Sequence, residues 1–336
     1  MNSEVTRVPR SSVALLTSLA LSFIGSLVVA NAFAASAEPD TSLAHGAVAV
    51  RADDPTKPAV VPNDYVITPF GYFHPSCVQS VGTTEKLHDN GNIMRADGTV
   101  RAVAACAFPS FRADGTRVEP QGSPADATRV VPAAAYNGYL ELVSFKLTTG
   151  GVNEMTGYMR VPAAPSRQVG QTIFLFPGLE DFQNVQSILQ PVLGWNADGG
   201  NTWTIRSWNC CRSGTVFAGN TATVSPGDVI FGSMVKTGTQ SWTISAQDIS
   251  RSSVPVATLN TTDSQPFNWI MGASLETYGI TACNQLPASK PAQFVDVQAF
   301  INGKVIANPT WSSVPGGTIS CTSATVLDST DININY

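Results

Sequence analysis

Histidine is nearly missing from this sequence: His45, His74 and His88 are its three copies, and none falls after residue 88. A Ser-His-Asp or Cys-His device, or a histidine-ligated metal centre, therefore has no place in the long remainder of the chain. The G-x-S-x-G elbow is also lacking. One S-x-x-K occurs, Ser233 to Lys236, but it lies in the strand pattern DVIFGSMVK. Positions three apart in a strand face opposite ways, so it forms no Ser-Lys dyad. There is no C-x-x-C and no histidine near the clustered cysteines, so no metal and no cofactor is expected. Charge is scarce as well, at 13% of the residues. The surface must then be rich in Ser, Thr, Asn and Gln, which suits an extracellular β-protein. A formal net charge of -5 offers no basic stripe, which argues against nucleic acid as a partner.

What is present begins with an address. Arg7 and Arg10 precede the apolar run VALLTSLALSFIGSLVVA, and small-residue cleavage sites follow at Ala32-Phe33-Ala34 and Ala35-Ser36-Ala37. This pattern predicts a secretory signal peptide over 1–37, a secreted chain, and no membrane association once it is cleaved. All six cysteines, Cys77, Cys106, Cys210, Cys211, Cys283 and Cys321, lie beyond it. An even count in an exported chain reads as disulfides, of which 15 connectivities are possible. Locality favours Cys77–Cys106 and Cys283–Cys321; the vicinal Cys210-Cys211 is left over and could exchange partners with the second bridge.

Composition then divides the chain. Residues 38–63 are Pro- and Ala-rich, a linker or the start of a pro-segment. Residues 64–117 form a small disulfide-containing module carrying RADGT twice, at Arg95–Thr99 and Arg112–Thr116. Asp-Gly is a strong hairpin-turn signal, so each copy is expected to cap a hairpin. Residues 118–135 are a second Pro/Ala-rich linker. From 136 to 336 short alternating segments recur: YLELVSFKL, EMTGYMRV, QTIFLF, TWTIRSW, DVIFGSMV, SWTISAQDI and AQFVDVQAFI. Turn signals separate them and no amphipathic helix of three turns interrupts them. The expectation is an all-β chain, a two-sheet antiparallel sandwich of jelly-roll, concanavalin-like form.

Two residues stand out in that domain. Gln190 is a lone amide in the apolar run SILQPVLGW, where an unpaired amide would cost about 1–3 kcal/mol. Glu276 is held among apolar and aromatic neighbours in NWIMGASLETYGI. The order FLFPGLEDFQNVQSILQPVLGW, TWTIRSWNCC, VSPGDVIFGSMV, SWTISAQDI, GASLETYGI and PAQFVDVQAF resembles the glutamic peptidases of the eqolisin type and the related neprosin group. Gln190 and Glu276 are 86 positions apart, close to the family's separation of its glutamine and glutamate strands. The sequence departs from the family at Pro191 and at S-L-E-T-Y, and a second alignment sets Asn268-Trp269 on the family's A-E-W-I signature. Neprosin-like proteins have a glutamate as the first member of the pair, so Gln190 favours the eqolisin version.

The resemblance implies a concave sheet face with Gln190 and Glu276 as the catalytic pair of a secreted, acid-acting endopeptidase. The glutamate would activate water and the amide would stabilise the oxyanion. The pair is expected on neighbouring strands, within hydrogen-bonding or water-bridging reach. Trp195, Trp203, Trp208, Glu180 and Asp181 are candidates for substrate contact. Trp203 and Trp208 fall on opposite faces by period two, so one of them can line the cleft. Polypeptides are the expected partners of a monomer made as a zymogen, residues 38–135 covering the cleft or forming a permanent accessory domain. Two other readings stay open: a noncatalytic lectin-like sandwich binding extracellular polysaccharide, and a glycosidase using Glu180 and Glu276.

Overall fold

The computed structural model describes residues 54, 56–120, 137–183, 187–289, 291–316 and 321–336. The expected signal peptide, and residues 121–135 of the second linker, lie outside the described residues. Eight short strands come first: β1 (Val66–Thr68), β2 (Gly71–Phe73), β3 (Val78–Ser80), β4 (Lys86–Leu87), β5 (Ile93–Met94), β6 (Val100–Arg101), β7 (Ser110–Phe111) and β8 (Arg117–Val118). Then come the long ones: β9 (Gly138–Lys146), β10 (Glu154–Arg160), β11 (Thr172–Glu180), β12 (Ile188–Trp195), β13 (Trp203–Cys210), β14 (Val216–Val224), β15 (Val229–Lys236), β16 (Ser241–Asp248), β17 (Ala257–Thr262), β18 (Trp269–Tyr278) and β19 (Ala292–Ile301). β20 (Lys304–Val305), β21 (Ser312–Pro315), β22 (Ser323–Val326) and β23 (Ile332–Asn335) close the chain. Among the described residues, helix is limited to three-residue 3-10 turns.

These strands make the predicted sandwich. One sheet runs β21-β9-β18-β11-β12-β13-β14-β3, and the other runs β22-β23-β19-β10-β15-β16-β17-β4-β5-β6 with β20 beside β19. The long strands pair antiparallel with one another. Alternation sorts their side chains. On β11, Ile173, Leu175 and Leu179 enter the core between the sheets, while Phe174 and Phe176 enter a second apolar cluster on the opposite face. Both faces of β11 are covered, so its entire length is buried and it reads as TIFLFPGLE without polar alternation.

The second cluster exists because residues 64–117 do not stand apart as the module expected. β1, β2, β7 and β8 form a small sheet whose Tyr65, Val66, Tyr72, Phe73 and Phe111 pack on Phe174, Phe176, Val192, Trp208 and Tyr278. β3 pairs parallel with β14, and β4 pairs parallel with β17, so the segment extends both sheets. Both RADGT copies close hairpins as expected: Arg95 and Thr99 flank the β5–β6 turn, Arg112 and Thr116 the β7–β8 turn, each with a glycine at positive φ. Disulfides join Cys77 to Cys106, Cys210 to Cys211 and Cys283 to Cys321.

A buried ion pair pins the turn after β13 to the loop after β17. Arg212 Nη2 lies 2.6 Å from Asp263 Oδ2, with little of either side chain exposed. Asp263→Ala leaves a guanidinium without its counter-charge and is expected to cost about 3–5 kcal/mol. The readout is the urea midpoint of unfolding; an unchanged midpoint would mean that the pair contributes nothing.

Candidate functional site

Gln190 is delivered by β12. Leu189 and Leu193 point into the core between the sheets. Pro191 points the same way, onto Gly232 of the facing sheet, where a Cβ would come within 3.1 Å of its ring. The alternate positions Gln190 and Val192 therefore face the other way. Gln190 is paired opposite Trp208 of β13. Its side chain lies over Gly178 of β11, where a Cβ would sit 3.4 Å from Gln190 Cγ and 2.8 Å from Met271 Cε. Glycine at 178 is what lets these two long side chains lie across the strand. Gln190 is fully buried, and neither its amide nitrogen nor its amide oxygen has a hydrogen-bond partner.

Glu276 comes from β18, opposite Phe174 of β11 on one side and Tyr139 of β9 on the other. It is 2% exposed. The Tyr278 hydroxyl donates a hydrogen bond to Oε1, while Oε2 is buried without a partner. Burial pushes its carboxyl up to about 8, the Tyr278 bond only partly opposing the shift. The two residues share a sheet face, but not as expected. β11 separates β12 from β18, and Gln190 lies over Gly178 whereas Glu276 is opposite Phe174, four residues along β11. No hydrogen bond joins them.

Tyr139 links the two, and the sequence reading did not single it out. It pairs with Glu276 across β9 and β18. Its ring stands edge-on to Phe176 at 6.1 Å between centroids, and its hydroxyl lies beside the Gln190 amide, a contact that leaves the amide unsatisfied. Burial first, and then the charges of Glu276 and Glu180, raise the phenol well above its usual range. It therefore keeps its hydrogen and can offer a hydrogen bond but not a proton.

The remaining candidates divide between the faces. Glu180 ends β11, and burial pushes it up to about 8 against the pull of Lys146, with Asp181 adding to the rise. Lys146 Nζ lies 4.6 Å from the Trp269 ring centre and 5.0 Å from that of Phe182. Asp181, just past the strand, is buried and accepts a hydrogen bond from the Gln183 backbone. Trp208 belongs to the second cluster, with the Arg206 guanidinium 5.5 Å from its ring centre and Asp198 2.8 Å from Arg206. Trp195 and Trp203, expected at the cleft, instead pack edge-to-face at 5.5 Å within the core between the sheets. Their odd spacing from Trp208 along the strand pair put them on the other face. Among the described residues no three His, Cys, Asp or Glu side chains converge to hold a metal ion.

Residues 54–118 cover this face. The Tyr72 ring meets Tyr278 at 5.3 Å and Phe70 meets Trp208 at 6.4 Å. A polar latch fixes the cover to the sheet. Thr56 Oγ1 donates to Asn137 Oδ1, the Gly279 N–H donates to both of these oxygens, and Asn137 Nδ2 donates to the Thr56 carbonyl and the Tyr72 hydroxyl. Tyr72 in turn donates to Asp54.

No protein-family model matches the sequence, and no curated protein is similar to it in sequence. Among solved structures, the fold is similar to scytalido-glutamic peptidase bound to a peptide-based transition-state analogue, at 15% identity and a TM-score of 0.43, over 60% of this chain and 98% of that one. It is also similar to SCP-B, an eqolisin-family peptidase in complex with the tripeptide Ala-Ile-His, at 15% identity and a TM-score of 0.41 over the same shares. Aspergilloglutamic peptidase from Aspergillus niger matches at 14% identity and a TM-score of 0.32, over 49% of this chain and 98% of that one.

Proposed function

We propose that this chain is a secreted endopeptidase of glutamic type, held latent by residues 54–118 and active in acid once they leave the sheet. The observation that supports this reading is a buried amide and a buried carboxyl with unsatisfied atoms on one face of the sheet, Gln190 and Glu276. Such groups cost stability where they stand. A task at that face gives a reason for keeping them. Uncovered and hydrated, Glu276 returns toward its ordinary value near 4.5 and can take a proton from water as the water oxygen attacks a peptide carbonyl carbon. The Gln190 N–H faces the oxyanion that forms. The Glu276 acid then protonates the leaving nitrogen as the C–N bond breaks, and the carboxylate is restored.

The cover has a consequence for the order of events. While it is in place no substrate reaches the pair, and Glu276 keeps its proton up to a pH of about 8. Opening must precede chemistry. The test is incubation of the full chain with an unfolded protein from pH 3 to 7, with mass spectrometry of both the products and the chain's own N-terminus. New peptides are expected together with loss or detachment of the cover, and Gln190→Ala is expected to cut turnover by about 100-fold. No peptides at any pH, even from chains that have lost the cover, would remove the peptidase reading.

A further inference from the structure

We infer that the Tyr139 hydroxyl is a second oxyanion donor in this site, acting beside the Gln190 amide. The inference rests on the peptidase reading above and assigns a role to a residue that reading does not use. It starts from an irregularity in the sheet. Along β18 and β9, Leu275 pairs with Glu141 but the next residue, Glu276, pairs with Tyr139. Two residues of β9, Leu140 and Glu141, thus stand against Leu275. Such a bulge re-aims the side chains that follow it. In regular pairing Leu140 would face Glu276; the bulge turns Leu140 into the core between the sheets and puts a tyrosine in its place.

The phenol so placed reaches where the chemistry needs it. Its ring is held by Phe176, and its oxygen ends beside the Gln190 amide, which Gly178 allows to lie across β11 toward it. The two groups are neighbours, so a carbonyl oxygen that enters between them and becomes negative meets an amide N–H and a phenol O–H together. Neither group titrates in the acid range, so both hold their hydrogens throughout the reaction. Tyr139 donates a hydrogen bond and transfers no proton; Glu276 alone carries the proton from water to the leaving nitrogen.

The test is steady-state kinetics of Tyr139→Phe, prepared as the full chain and opened in the same way as the wild type. The expected result is a 10- to 100-fold fall in kcat with KM within twofold. A peptide transition-state analogue should lose affinity by the factor lost from kcat/KM, and the pH limb set by Glu276 should stay in place. A fluorotyrosine at position 139, which keeps shape and hydroxyl, should fold like wild type and change kcat without changing KM. It also reads the donor if the phenylalanine variant does not fold. Wild-type kcat in both variants, a loss confined to KM, or a moved Glu276 limb overturns the inference. The reading beneath it fails differently: Gln190→Ala and Glu276→Gln would then release peptides as fast as wild type.

Discussion

Glu276→Gln is expected to lower turnover at least a thousandfold while leaving the fold as stable as before at acid pH. The first half follows from chemistry. A glutamine cannot take a proton from water, and removal of the base leaves only the donors to assist the attack. The second half follows from the covered state. Glu276 is protonated there, so the change replaces one neutral planar group by another of nearly the same size, and the amide carbonyl can still accept from the Tyr278 hydroxyl that now donates to Oε1. The measurements are kcat on an unfolded protein and the urea midpoint at pH 5. Ordinary turnover would move the base to another carboxyl. Glu180 is the first alternative, because it sits on β11 two residues beyond Gly178 and is likewise pushed up to about 8 by burial.

Stability itself should fall as pH rises from about 4.5 toward 8. Glu276 and Glu180 both have folded values raised to about 8. Between these limits the folded form keeps two protons that the unfolded form releases. The stability attached to them is fully present below the unfolded value and is lost as pH climbs through the folded one, with a slope of about 1.4 kcal/mol per pH unit for each group. Glu276→Gln should remove its share of that slope, read from urea midpoints between pH 4.5 and 8. A flat profile in the wild type would mean that water reaches both carboxyls. The same linkage bears on how the site opens. Lifting the cover also hydrates Glu276, so acid holds the cover down through this residue and alkali loosens it. Protonation of the buried pair therefore cannot drive release in acid. A cut in the chain is the more direct route, and 118–135, rich in Pro and Ala, is where the sequence invites one.

Much of this was legible in the sequence because its causes are local. Period-two runs broken by Pro-Gly and Asn-Gly turns marked the long strands, the two RADGT copies marked hairpins, and the odd spacing of Trp203 and Trp208 put them on opposite faces. Gln190 drew notice as an amide in an apolar strand, and it is indeed buried and unsatisfied. What escaped depends on distant pairing. β11 lies between β12 and β18 although it precedes both in the chain, so the distance between Gln190 and Glu276 could not be judged from their spacing. Strands of two or three residues, such as β3 and β4, are too short to show alternation. Their place was set by which long strand had a free side. The bulge that aims Tyr139 is a property of β18 and β9 together, and GYLELVSFK alone carries no trace of it.

The parallel partners β3 and β4 have one more consequence. Each pairs with part of a long strand, β3 with Val216–Ala218 of β14 and β4 with Asn260 and Thr261 of β17. A chain shortened to begin at β9 would bare the N–H and C=O groups of these residues too, lengthening the open side of VFAGNTATV and that of ATLNTT. Such edges are templates for strand addition. The segment that hides the site thus also shortens the edges by which the sandwich could pair with its own kind. Trimmed molecules should associate as their concentration rises, edge to edge, unless β3 and β4 stay bound after the chain is cut.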